Sequence, residues 1–229
     1  VEGGEARHEV RVREEDARFH VRLNEGLGTG LFLDQVALRL AAREYAADAE
    51  VLNLFSYTCS FSVHAALGAA RRVTSVDVSR RALAVGRDNM RASGIDPDAH
   101  RWFADDVRDF LERQLRRPGP KYGLVILDPP VFGRAGRRTF SLETEISPLL
   151  RLALSMVEDG GVLVFSTHAE DLGRRAVGDA IRDAARASAR TVRVLEEHGL
   201  ADWDHPVGCG ASDPRDRGNY LKGLVLRVG

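Results

Sequence analysis

Hydrophobic and polar positions along the chain follow two periods. Residues 8–12 (HEVRV) and 17–23 (ARFHVRL) alternate in strand fashion on either side of Glu14, Glu15 and Asp16. That spacing predicts an N-terminal β-hairpin. Residues 24–30 form a glycine-rich loop, and 33–46 carry helical spacing. From there the period switches repeatedly. Apolar strands are expected at 50–55, 73–76, 100–104, 122–127 and 162–166, with helices at 61–67, 79–93, 107–116, 143–157 and 171–188. Ser79 stands where a helix N-cap belongs. Two final strands, 191–196 and 221–228, have no helix between them. They are expected to pair as an antiparallel hairpin at one edge.

Strands that alternate with helices predict an α/β fold: a mostly parallel sheet with helices on both faces. The expected organisation is a hairpin and loop over 1–34 packed on a main domain over 35–229. The hairpin is too small to stand alone. The chain opens on Val1 rather than Met, which is expected of a processed or cut chain, and no signal-peptide pattern opens it.

Composition narrows the function classes. At 229 residues, with 44% hydrophobic and 29% charged, the chain reads as an ordinary globular domain. Apolar runs stop well short of the ~20 residues a membrane helix needs, so the expected location is cytoplasmic. Net charge is −1, from 33 basic and 34 acidic residues, which excludes a wholly basic nucleic-acid binder. A local basic face stays open. Only Lys121 and Lys222 are lysines, so 31 of the 33 basic residues are arginines. A GC-rich genome explains that bias, and selection for bidentate phosphate contacts explains it too. Two cysteines, Cys59 and Cys209, exclude a disulfide framework or a four-cysteine zinc site; no metal is expected.

In an open α/β sheet, ligands lie beyond the carboxyl ends of the strands. After the first main strand comes Phe55-Ser56-Tyr57-Thr58, a run of small and hydroxyl residues turning into a helix. It is not a dinucleotide fingerprint. It suits an anion held by backbone N–H groups, or a plain capped turn. The second strand ends at Asp77-Val78, where a carboxylate can accept ribose hydroxyls or simply favour the next helix. The third ends at Asp105-Asp106-Val107; one acid can accept from an adenine amine while the other caps a helix. Together these pieces outline a nucleoside site. The fourth strand ends at Asp128-Pro129-Pro130-Val131-Phe132. Two prolines remove backbone donors and extend the turn. Phe132 is then a candidate stacking plate for a flat base.

These motifs, with Thr29-Gly30-Leu31-Phe32-Leu33-Asp34-Gln35, Asp204-His205-Pro206 and Tyr220-Leu221-Lys222-Gly223, make the chain similar to a known family. It resembles the class I S-adenosylmethionine-dependent methyltransferases, and among them the bacterial 23S rRNA large-subunit enzymes. One branch of these makes 5-methylcytosine and a related one 7-methylguanine. The resemblance implies a Rossmann-like, seven-stranded sheet with an antiparallel last strand, S-adenosylmethionine as cofactor with S-adenosylhomocysteine as product, and ribosomal RNA as partner. It implies that Asp77 holds the ribose and Asp106 the adenine. Ser56, Tyr57 and Thr58 would line the methionine part, and Asp34 and Gln35 would close over the cofactor.

Three departures bear on the reaction. Cytosine C5 methylation needs a cysteine thiolate added at C6. By the resemblance, the 5-methylcytosine branch carries that cysteine after the fifth strand, where this chain reads Phe165-Ser166-Thr167-His168. Thr is too weak an acid to replace it, so an acceptor that is already nucleophilic, such as guanine N7, is expected. The family's RNA-binding front domain is not within this sequence: it is expected either to have been cut away or to be naturally absent, and natural absence would keep a small-molecule acceptor open. Val36 stands where the family commonly has Arg. His168 is a candidate base if a hydroxyl or amine is the acceptor, or a helix-flanking polar residue. His205 is a second candidate. Arg134, Arg137 and Arg138 after the fourth strand, and Arg215 and Arg217 in the last loop, either hold phosphates or are ordinary solvated arginines.

Overall fold

The computed structural model describes residues 9–23, 29–116, 121–135, 138–199 and 220–229; at 133–135, 138–140 and 143 it describes the backbone alone. The chain opens with strands β1 (Glu9–Glu14) and β2 (Ala17–Arg22), followed by helix α1 (Val36–Glu44) after a 3-10 turn at Leu33–Gln35. Then β3 (Glu50–Leu54), α2 (Ser60–Leu67), β4 (Arg72–Asp77), α3 (Arg80–Ala92), β5 (Arg101–Ala104), α4 (Val107–Leu115) and β6 (Tyr122–Leu127) alternate. A small hairpin, β7 (Phe132–Ala135) and β8 (Arg138–Ser141), leads into α5 (Leu142–Leu154). The chain closes with β9 (Val157–Thr167), α6 (Arg174–Ala187), β10 (Val192–His198) and β11 (Lys222–Val228).

Seven of these strands form one sheet, in the order β10-β11-β9-β6-β3-β4-β5. β3, β4, β5, β6 and β9 pair in parallel, and β11 runs antiparallel to both its neighbours. The final strands do pair as an antiparallel hairpin, but β11 inserts beside β9 and leaves β10 at the edge. Helices on both faces explain why β6 (YGLVIL) is almost wholly apolar. One core layer joins the sheet to α4, α5 and α6 through residues such as Phe110, Leu150 and Ile181. The other joins it to α1 and α2 through Leu38, Phe61 and Ala65. Chain order reverses between β3 and β6, so a crevice opens at their carboxyl ends.

One expectation is corrected here, and one element is added. The helix expected over 143–157 stops at Leu154, and Val157 already pairs with Tyr122 as the start of β9. Glu158-Asp159-Gly160-Gly161 breaks the apolar run, and Gly160 takes φ +78°. A side chain on Gly161 would meet the Gly123 carbonyl at 3.0 Å, so the bulge there needs glycine. The stretch between Asp128-Pro129-Pro130 and that helix carries no expected element. It is the β7–β8 hairpin, with Arg134 opposite Thr139 and Arg138 opposite Ala135. Four-residue strands with mixed composition carry too little alternation to be read from sequence.

The N-terminal hairpin is tied down in three ways. Ala17, Phe19 and Val21 alternate inward and pack with Val63 and Met90. Asn89 of α3 and Ser93, which caps that helix, hold the free edge of β2: Asn89 Oδ1 accepts from the His20 N–H at 2.9 Å, and Ser93 Oγ from the Arg18 N–H at 2.9 Å. The hairpin turn then plugs onto α1. Arg39, fully buried, donates from Nε and Nη2 to both Glu14 carboxylate oxygens at 2.7 and 2.5 Å. His64 Nε2 lies 2.9 Å from Glu14 Oε1, and Arg43 forks onto Asp16 at 2.5 and 2.9 Å. Burial alone would raise the Glu14 carboxyl, but contacts from Arg39 and His64 outweigh it and hold it at about 2.

Removing one partner of a buried ion pair leaves an uncompensated charge, a loss of about 3–5 kcal/mol. Glu14→Gln is expected to lower unfolding free energy by that order in urea titrations. Because the folded carboxyl sits below its ordinary value, this stabilisation is complete above pH 4.5 and disappears as pH falls toward 2. The gap between wild type and variant should close across that window.

Candidate functional site

The crevice floor is the loop from β3 to α2. Its backbone alternates in hand: Phe55, Tyr57 and Cys59 take φ of 57°, 47° and 64°. Left-handed conformations cost a non-glycine residue of order 1–3 kcal/mol each and persist only where the surroundings impose them. Here they do. The Ser56 N–H donates to the Val76 carbonyl at 3.0 Å and the Cys59 N–H to the Ser56 carbonyl at 2.7 Å. The Tyr57 N–H donates to Asp77 Oδ2 at 2.8 Å, and the Ser79 N–H to Asp77 Oδ1 at 2.8 Å. Burial raises the Asp77 pKa, opposed by those two N–H groups. Beneath the loop runs a buried polar chain: Asn53 Nδ2 donates to Ser62 Oγ at 2.8 Å, and Ser62 shares a hydrogen bond with Ser75 at 2.9 Å. Ser56 Oγ is buried with no oxygen or nitrogen partner among the described residues.

Across the crevice, Asp128 follows directly on β6 and is held by two donors. Gln35 Nε2 reaches its Oδ1 at 3.0 Å and Ser166 Oγ reaches the same oxygen at 2.6 Å. Burial raises the Asp128 pKa, while Ser166, the His168 charge and Gln35 pull against it. His168 Nε2 bonds Asp34 Oδ2 at 3.0 Å. Burial lowers the His168 pKa, but the Asp34 hydrogen bond and the Asp128 charge outweigh it, and the net shift is upward. The imidazole stacks on Tyr220 at 5.8 Å and lies 5.5 Å from Phe32, which in turn lies 5.9 Å from Tyr57. An aromatic and ionic clasp thus joins the Phe32–Gln35 turn to the end of β9.

These elements enclose a cleft of about 370 Å³. Of the residues singled out from sequence, Gln35, Phe55, Ser56, Tyr57, Asp77, Val78, Asp128, Pro129, Pro130, Phe132 and His168 line it. Phe132 is 73% exposed, so one ring face is open. Asp34 stands one hydrogen bond behind His168. Thr58 turns away from the cleft, donating from Oγ1 to the Gly30 carbonyl at 2.5 Å. Asp106 caps α4, accepting from the Arg108 and Asp109 N–H groups at 2.9 and 3.1 Å. Asp105 pairs with Arg113, and Val107 is buried in the core. Those four do not line the cleft. Arg137, His205, Arg215 and Arg217 lie outside the described residues, and of Arg134 and Arg138 only the β7–β8 backbone is described. Sequence reasoning missed Phe32, Asn53, Ser60 and Phe61 at the lining. Asn53 had a signal: it is the one polar residue flanked on both sides by apolar ones in the strand EVLNL.

Neither described sulfur chemistry nor Thr167 offers a nucleophile. Thr167 is fully buried, and its Oγ1 accepts from the Ala169 N–H at 3.1 Å. Cys59 is fully buried as well, and burial pushes its thiol up to about 12. A side chain on Gly86 of α3 would stand 2.5 Å from Cys59 Sγ, so the thiol faces a helix and not the cleft. Cys209 lies outside the described residues.

Comparison with known proteins decides the family. The model of the S-adenosylmethionine-dependent methyltransferases matches residues 2–209. This chain belongs to that family. Ribosomal RNA large subunit methyltransferase I of Klebsiella pneumoniae is 38% identical over 221 residues, covering 95% of this chain and 53% of that protein. Bacillus subtilis YwbD is 35% identical over 228 residues, covering 99% of this chain and 56% of YwbD. The solved structure of SMU.776 complexed with SAH superposes with a TM-score of 0.88 at 31% identity, over 99% of this chain and 58% of that one. The chain thus spans about half the length of the curated relatives it matches. Among the described residues no helix is long and apolar enough to cross a membrane.

The His168 clasp yields a direct check. Replacing Asp34 by Asn removes the charge that outweighs burial. The His168 imidazole titration, followed by proton NMR, is expected to move to lower pH in Asp34→Asn. An unmoved midpoint would show that Asp34 does not set it.

Proposed function

We propose that this methyltransferase-family chain is the catalytic portion of an enzyme acting on large-subunit ribosomal RNA. We further infer that it transfers the methyl group directly to a base nitrogen such as guanine N7, with no covalent enzyme–base adduct. The observation that carries this reading is Thr167. The residue at the family's cysteine position is buried and already engaged with the Ala169 N–H. The Klebsiella pneumoniae relative, named as a ribosomal RNA large subunit methyltransferase, supports the choice of substrate.

The residues present fit the cofactor. The left-handed turn at 55–59 forms a concave backbone of the kind that receives charged groups. Asp77 uses its N–H partners to fix both carboxylate oxygens at the cleft wall, leaving lone pairs for the ribose hydroxyls. Gln35, Tyr57 and Ser56 would line the methionine end. S-adenosylmethionine supplies an electrophilic sulfonium methyl when bound. The chain's own contribution is position and dryness. Phe132 presents an open ring face on which a base can stack, and Pro129-Pro130 hold that ring at the mouth. Gln35 and Ser166 hold the Asp128 carboxyl in one orientation facing the same space. Guanine N7 has a free lone pair and requires no base. That agrees with His168, whose raised pKa leaves less free imidazole at neutral pH and whose Nε2 is engaged with Asp34. His168 is therefore a positioning residue that clasps the Phe32–Gln35 turn.

The Cys59→Ala, Cys209→Ala double variant is expected to retain kcat/KM on ribosomal RNA within roughly twofold. Nucleoside mass spectrometry should then find 7-methylguanosine in the product. Lost turnover with cofactor binding intact, or 5-methylcytidine as product, would overturn direct transfer. Asp77→Ala should weaken S-adenosylhomocysteine binding in calorimetry about 10- to 100-fold, the loss of charged hydrogen bonds of about 1.5–3 kcal/mol. Unchanged affinity would place the ribose elsewhere.

A further inference from the structure

Charge on the chain nearly cancels, at −1, yet it is unevenly spread. The outward face of the β1–β2 hairpin is a ladder of cross-strand pairs: Glu9 opposite Arg22, Arg11 opposite His20, and Arg13 opposite Arg18. Like charges placed directly opposite destabilise a hairpin. The Arg13–Arg18 rung is therefore a cost to folding that an anion lying along the face would relieve. This face forms one wall of a groove of about 670 Å³, larger than the cofactor cleft, and α3 forms the other wall with Val85, Asp88 and Arg91.

Five arginines line the groove against two carboxylates. Both carboxylates are already engaged. Glu9 contacts His20 at 3.2 Å and Arg22 at 3.9 Å, and Asp88 contacts Arg91 at 2.8 Å. Arg18 reaches back to the Ala92 carbonyl at 3.4 Å. Arg11 and Arg13 have no acidic partner among the described residues, and both are exposed. A second cavity of about 160 Å³ continues the groove, sharing His20, Arg22 and Val85 with it and Tyr57 with the cofactor cleft. Arginine-lined space thus runs from the hairpin to the cleft.

We propose that this groove holds the sugar–phosphate backbone of the RNA that flanks the target base, with Arg11 and Arg13 as phosphate contacts. The inference rests on the RNA reading above and names the surface that serves it. A guanidinium fork matches phosphate geometry. The concavity and its continuity with the cleft suit a strand entering the site; a lipid surface would require the cations on a projecting face.

The test is fluorescence anisotropy of a labelled RNA stem-loop against the 229-residue chain over a salt series. Arg11→Ala with Arg13→Ala is compared with Arg182→Ala with Arg186→Ala, which removes the same charge from exposed positions on α6. Calorimetry with S-adenosylhomocysteine serves as the check that each variant is folded. The hairpin variant is expected to bind RNA about tenfold more weakly, and its log K against log salt should be shallower by roughly 1.5–2, the share of two phosphate contacts. The α6 variant should match wild type. Equal RNA binding by all three proteins overturns the groove and leaves the methyltransferase reading intact. If the unchanged chain binds no RNA, the groove and the RNA substrate fall together. Arginine-dependent binding to phosphatidylserine vesicles with no RNA binding would also overturn the proposal.

Discussion

Arg39 carries a full positive charge into a site with no solvent exposure, and three acceptors from two separate parts of the chain meet it there. Two are the Glu14 oxygens of the hairpin, and the third is the Phe32 carbonyl, reached from Nη1 at 2.7 Å. Desolvating both ions costs several kcal/mol each, and only complete satisfaction offsets that cost. The arrangement is therefore close to all-or-none. If the hairpin shifts, Arg39 loses its counter-ion. If the turn at Phe32–Gln35 shifts, it loses its third acceptor. One side chain so couples the hairpin, α1 and the turn that carries Phe32, Asp34 and Gln35 to the cleft. Asn89 adds a second tie on the far side. Its Oδ1 accepts from His20 of β2, and its Nδ2 donates to the Thr58 carbonyl at 3.0 Å, inside the strained loop between β3 and α2.

The cleft's own electrostatics follow from what that coupling buries together. Asp34, Asp128 and His168 share a space where water is scarce. Burial raises the Asp128 pKa and by itself would lower the imidazole's, yet His168 ends above its ordinary value because Asp34 and Asp128 stand beside it. A raised imidazole pKa means the clasp is strongest below the ordinary imidazole value and weakens as pH rises through the folded one. Alkaline conditions should therefore loosen the turn over the cleft, not sharpen a base. Holding the turn, with Phe32 and Tyr220 stacked around His168, is the role these contacts support.

The fold was legible because its signals are local and repeated. Alternation in 17–23, the buried run YGLVIL, and the N-cap at Ser79, which accepts from the Ala82 N–H at 3.1 Å, each say the same thing as the tertiary structure. The strand ends were legible for a related reason: Asp77 and Asp128 are acids directly after apolar strands, and both reach the cleft. Long-range partnerships were not legible. Glu14, read as a turn acid, is the counter-ion of a helix residue 25 positions away. Asp34 gives no hint in sequence that it faces His168, 134 residues on. Asp105 and Asp106 show the limit from the other direction. The doublet suggested an adenine contact, but one carboxylate pairs with Arg113 and the other caps α4. A carboxylate at a strand end serves whichever donors lie nearest, and spacing alone does not say which those are.

Net charge proved a poor guide to the surface. At physiological salt a charge is felt over about 8 Å, so a polyanion meets the residues of one face and not the sum over the chain. On α3 and α6 some arginines meet an acid one helical turn away, as in the Asp88–Arg91 and Asp183–Arg186 pairs. The hairpin has no such spacing available. In a two-stranded ladder each residue's nearest charge lies across the strand, and at two of three outward rungs that neighbour is another basic side chain. Pairing geometry, and not the number of arginines, is what concentrates positive charge on the side of the molecule that leads into the cleft.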